Sequence, residues 1–170
     1  MAQSQGILAL VITLIFVGRI EANDHSKAAF KKMQSLGGEW EGQDQHGMKA
    51  KSTFKVMVSN TAVMETLAAS GMEEMVTFYH VDGDAITLVH FCPTNNQPRM
   101  RAIPKTDDVA ELTFVFEGAA NLPSLAVGHQ HQLTIKFEDQ DHITETWIWS
   151  EKGKDTPMVF HLVRTKNYKN

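Results

Sequence analysis

The sequence predicts an all-β protein, a single up-and-down antiparallel β-barrel of about ten strands with a short N-terminal helix. Three observations lead there. Beyond Gly37-Gly38 the apolar residues change from a helical spacing to strict alternation. Alternating segments then follow one another to the end of the chain, each broken by a short polar or glycine-bearing turn. Connections this short make neighbours antiparallel, because a parallel pair needs a crossover of about a dozen residues. A meander of so many strands leaves two long edges unless it closes, so a barrel is expected, with a two-sheet sandwich as the alternative.

The elements can be justified in order. Ile7 to Val17 is an apolar run in which only Thr13 is polar, too short for a membrane span of roughly 20 residues, and Ile20-Glu21-Ala22 follows it. This reads as a signal peptide over 1–22, cleaved after Ala22, with an uncleaved anchor as the alternative. The barrel domain is then 23–170, secreted or periplasmic, with no stable membrane anchor after cleavage. Residues 24–36 form the helix: Asp24 is the expected N-cap, Ala28, Ala29, Phe30, Met33 and Leu36 make the apolar stripe, and Gly37-Gly38 ends it. Strands are expected over 39–43, 48–58, 61–68, 74–81, 85–92, 97–103, 110–117, 128–137, 142–150 and 157–166. Asp82-Gly83 is the strongest hairpin signal, since both residues tolerate the positive φ of a tight primed turn.

Composition narrows the function. The formal charge is −4, from 16 Lys+Arg against 20 Asp+Glu, and no basic stripe occurs, which argues against nucleic-acid binding. Eight histidines and one cysteine leave imidazole chemistry open while excluding a disulfide framework and a thiolate zinc site. Cys92 is expected to be a buried thiol. There is no nucleophile elbow, phosphate-binding loop or HExxH.

Leu36-Gly37-Gly38-Glu39-Trp40-Glu41-Gly42, a Gly-x-Trp on the first strand after a short helix, resembles the opening of lipocalin-like and other calycin barrels, including fatty-acid-binding proteins and nitrobindin. That resemblance implies that Trp40 closes the barrel bottom under Arg164 of the last strand. Pro157-Met158-Val159-Phe160-His161-Leu162 is similar to a nitrobindin segment, which implies His161 as a haem axial ligand. Tyr79-His80-Val81-Asp82-Gly83-Asp84, His90-Phe91-Cys92, Asn96-Gln97-Pro98-Arg99-Met100-Arg101 and Gly128-His129-Gln130-His131 resemble an uncharacterised group of secreted bacterial lipocalin-like proteins, which implies no activity. Residues 161 and 164 have opposite parity on one strand, so His161 and Arg164 cannot both face inward without a bulge.

Strand alternation selects the inward polar residues. On 128–137 the expected inner set is His129, His131, Leu133, Ile135 and Phe137; on 142–150 it is Ile143, Glu145, Trp147 and Trp149. His90 shares parity with Ile86 and Leu88, and His80 with Val76 and Phe78, so both are expected inside. Arg99 and Arg101 alternate with Pro98, Met100 and Ala102; inward, they would pair a ligand carboxylate, and outward they would face water. Glu65 is expected to face outward, and Asn95, Asn96 and Gln97 to belong to a turn.

Three functional readings follow. The first is a barrel binding a small hydrophobic or amphipathic ligand in its interior, contacted by His80, His90, Arg99, Arg101, His129, His131, Glu145 and Trp149. The second binds haem through His161, acting on reactive nitrogen species as the resemblance to nitrobindin implies, or a transition metal through His129 and His131. The third is an enzyme using a His/Glu pair as acid and base. For any single histidine, a core residue satisfied by a neighbour is the favoured reading.

Overall fold

The computed structural model describes residues 23–168, so the segment read as a signal peptide lies outside the described residues. Helix α1 (Asp24–Gln34) is capped by Asn23 instead of the expected Asp24: the Asn23 side-chain oxygen accepts from the Ser26 N–H at 2.8 Å. Asp24 in the first turn and Lys31 and Lys32 in the last suit the helix dipole. Ala29, Phe30 and Met33 form the buried stripe, and Ser26 Oγ donates to Gly83 O at 2.9 Å, fastening the helix to a hairpin turn. No helix among the described residues is long and apolar enough to cross a membrane.

Ten strands follow: β1 (Gly38–Asp44), β2 (Lys49–Met57), β3 (Ala62–Ala69), β4 (Met75–Asp82), β5 (Ala85–Phe91), β6 (Gln97–Ala102), β7 (Glu111–Ala120), β8 (His129–Phe137), β9 (His142–Glu151) and β10 (Lys154–Asn167). Each pairs antiparallel with its sequence neighbours, and β1 also pairs with β10, so the barrel is closed. The seam depends on Gly42, where a Cβ would stand 1.8 Å from the His161 carbonyl oxygen of β10.

The helix lies at the end where β1 begins, and there the barrel is closed. A register shift between Glu39 and Trp40 sets Trp40 opposite Arg164. The Arg164 guanidinium stacks 4.1 Å from the Trp40 ring and donates to the Ser35 and Gly37 carbonyls at 2.9 and 3.0 Å. Ser35 is the C-cap of α1 and Gly37 follows it, so one side chain covers the indole and ties down the chain at the helix exit. Trp40 Nε1 donates to Leu36 O at 2.8 Å, completing the plug.

Strand alternation fixes what lies inside. On β10, Phe160 and Leu162 are buried and Arg164 takes the same parity, whereas His161 and Val163 are exposed. His161 therefore sits on the outer wall, hydrogen-bonded to Thr144 Oγ1 at 3.1 Å. This corrects the expectation that it could serve as an inward haem ligand: the strand that delivers Arg164 to Trp40 turns His161 away.

Candidate functional site

The end opposite α1 carries the turns after β1, β3, β5, β7 and β9, and it holds a pocket of about 460 Å³. Met72, Met75, Met158, Cys92 and Trp149 supply its apolar walls, and Glu73 stands at its edge. Trp149 can serve as a wall because Gly128 makes room for it: a Cβ at Gly128 would stand 2.1 Å from the indole Cζ2. Asn96 holds this segment of chain in place, with Nδ2 donating to Gly128 O at 3.0 Å.

One polar side chain of the pocket is nearly sealed from solvent. Gln130 is 3% exposed, and its Oε1 has no hydrogen-bond partner among the described residues. It occupies this place because the β8–β9 register shifts between Gln130 and Gln132, setting Gln130 opposite Trp149. The extra residue in the bulge is His131, and strict alternation through it had assigned Gln130 to the outside.

Beneath the pocket the strands bring a second and a third layer, each two residues further down a strand, about 7 Å along the chain. On β4 the sequence of inner residues is Met75, Thr77 and Tyr79; on β9 it is Trp149, Trp147 and Glu145; His90 follows below Cys92. In the second layer Thr77 Oγ1 lies 2.9 Å from His90 Nδ1, and the His90 ring packs 4.6 Å from that of Trp147. His90 Nε2 is buried with no partner. Burial pushes the His90 pKa down to about 4, so the imidazole is neutral at pH 7.

The third layer contains two carboxyl groups with no exposure. Glu65 accepts from Ser52 Oγ at 2.8 Å and from the Tyr79 hydroxyl at 2.6 Å, while Trp147 Nε1 donates to Glu145 at 3.4 Å. Glu65 and Glu145 lie side by side. Burial raises both above the ordinary carboxyl range, and the neighbouring Glu65 charge drives Glu145 further up. Adjacent carboxylates in a dry interior cannot both ionise, and Glu145 is held the further above the ordinary range because Glu65 has the two stronger donors. The Tyr79 phenol is held protonated by burial and by these two carboxyls.

The sequence-predicted residues divide accordingly. His90, Glu145 and Trp149 stand in three successive layers of one column. Glu65, expected outside, is fully buried and corrects that reading, because β3 turns Val63, Glu65, Leu67 and Ala69 inward together. His80 is exposed, a further correction: β4 presents Thr77 and Tyr79 to the interior, and Phe78 packs outside at 6.3 Å from Phe91. Arg99 and Arg101 are also outside, since Pro98, Met100 and Ala102 take the inner face. Arg101 pairs there with Asp82 at 3.2 Å and Asp84 at 2.7 Å, leaving no guanidinium for an interior carboxylate.

His129 and His131 do meet, with Nε2 and Nδ1 separated by 3.1 Å, and both rings pack on Phe116 at about 5 Å. The Nδ1–H of His129 donates to Val127 O at 2.7 Å. They form a local hydrogen-bonded pair at the bulge, with His129 buried and His131 half-buried. Among the described residues no group of three or more His, Cys, Asp or Glu could hold a metal ion, so the pair finds no third ligand.

No family model matches the chain, and no curated protein matches it. Among solved structures it is similar to Rv2717c from M. tuberculosis, with a TM-score of 0.59 and 12% identity, over 85% of this chain and 99% of that one. The likeness is one of fold. It agrees with the closed antiparallel barrel described above and says nothing of the layered interior.

Proposed function

We propose that this protein binds a small hydrophobic or amphipathic molecule at the open end of its barrel, as a lipocalin-like carrier or sensor. The observation that carries this reading is the methionine- and tryptophan-walled pocket of about 460 Å³, placed at the end that no helix covers. Its volume lies within the range of small-molecule sites, and its few polar groups are the usual complement of such a pocket. Methionine side chains adjust to irregular apolar shapes, which suits a ligand of variable form. The apolar run before residue 23 supports export of the domain to the periplasm or beyond. If so, the exported protein begins at Asn23, and intact mass spectrometry that finds Met1 retained opposes export with cleavage.

The binding test uses the neutral dye N-phenyl-1-naphthylamine, whose emission rises in apolar surroundings. Wild-type protein is expected to enhance it saturably, and Cys92→Phe, which fills the pocket from its wall, to weaken binding about tenfold. Enhancement that is unchanged in a folded Cys92→Phe variant would place the dye elsewhere and defeat the reading.

A further inference from the structure

Four buried side-chain atoms have no hydrogen-bond partner among the described residues, Gln130 Oε1, His90 Nε2, Asn96 Oδ1 and Glu145 Oε1; the first belongs to the pocket wall and the second to the layer beneath it. Local hydrogen bonding explains the second. Thr77 Oγ1 is bonded to His90 Nδ1 at 2.9 Å, so Nε2 is the ring nitrogen left without a partner. A hydroxyl, which both donates and accepts, can satisfy Nε2 in either tautomer of the neutral imidazole. A buried acceptor without a donor is costly, and a ligand that brings the donor recovers that cost.

Charge points the same way. No Lys or Arg lines the pocket, its edge carries Glu73, and the carboxyl pair lies one layer below His90. An anionic head group would enter without a cation to pair it, whereas a hydroxyl or amine can donate to Gln130 Oε1. We propose that the ligand carries a hydrogen-bond-donating, non-anionic head group, an alcohol or an amine, seated on Gln130 Oε1 and His90 Nε2 with its apolar part against the methionines and Trp149. This deepens the proposed function and rests on the pocket being the binding site.

The test is displacement of N-phenyl-1-naphthylamine by 1-decanol, decylamine and decanoate, three ligands with one chain length, at about pH 8. Decanol or decylamine is expected to compete at concentrations about tenfold below those of decanoate. In His90→Phe and in Gln130→Met that preference is expected to shrink to about threefold or less while the dye still binds. Should His90→Phe fail to fold, Gln130→Met carries the comparison alone. Decanoate competing as well as both others, or a preference unchanged in the folded variants, overturns the head-group assignment and leaves the pocket standing. A dye that does not bind wild-type protein overturns both.

Discussion

His90 is the titratable residue whose environment has the plainest consequence. Folded, it takes up a proton only near pH 4; unfolded, it does so near its ordinary value of 6.5. Between those values the unfolded chain holds the extra proton, so His90 contributes stability above about pH 6.5 that is lost as pH falls toward 4. The full difference amounts to about 3 kcal/mol. Glu65 and Glu145 act in the opposite sense: their raised values make the folded chain keep protons that the unfolded chain releases above its ordinary 4.5, which lowers stability as pH rises. Urea midpoints measured from pH 4 to pH 8 separate the two. His90→Phe is expected to lose less stability than wild type on acidification, and Glu145→Gln to gain on wild type as pH rises. Parallel curves for all three proteins would mean these groups are not buried as described. His90 was legible because it shares the parity of Ile86 and Leu88, although Val89 and Phe91 make the other face of its strand apolar as well. His80 and Glu65 were misassigned because both faces of their strands carry apolar residues, and only the Tyr79 to Glu65 bond across strands shows which face is interior.

At the scale of elements, boundaries followed from turn chemistry and apolar period, and the misreadings came from local departures from alternation. The bulge at His131 reverses the parity of Gln130, and nothing in the residue types announces it. The start of β10 was placed too late because Lys152 and Gly153 form a turn tighter than their sequence suggests, with φ of 51° and 73°. Positive φ at both central positions gives a primed two-residue turn, and lysine is an unusual occupant. The plug was readable because Trp40 and Arg164 resemble a known pairing, yet the tie to the helix exit was not. That tie makes a prediction. Arg164→Lys keeps the charge but loses the planar fork that reaches Ser35 and Gly37 together, so it is expected to cost about 2 kcal/mol in thermal or urea unfolding. A Lys variant as stable as wild type would show that charge over Trp40 is all that matters.

The whole molecule is a column sealed at one end and chemically graded toward the other. From the bottom upward it runs from the Trp40–Arg164 plug, through the carboxyl pair and the His90 layer, to the apolar mouth. The barrel itself could be anticipated because period-2 alternation recurs in every strand. The grading could not, because each layer draws residues from strands far apart in the chain, such as Glu65 of β3 and Glu145 of β9. That arrangement also supplies a built-in reporter. The chain has three tryptophans, and they stand at three depths: Trp149 in the pocket wall, Trp147 beneath it, and Trp40 at the sealed end. Titrating ¹⁵N-labelled protein with 1-decanol and following the three indole N–H signals tests the central claim directly. Binding at the open end predicts that Trp149 moves most, Trp147 moves less and Trp40 stays in place. Movement of Trp40 with Trp149 unchanged, or a titration that shifts none of the three, would contradict it.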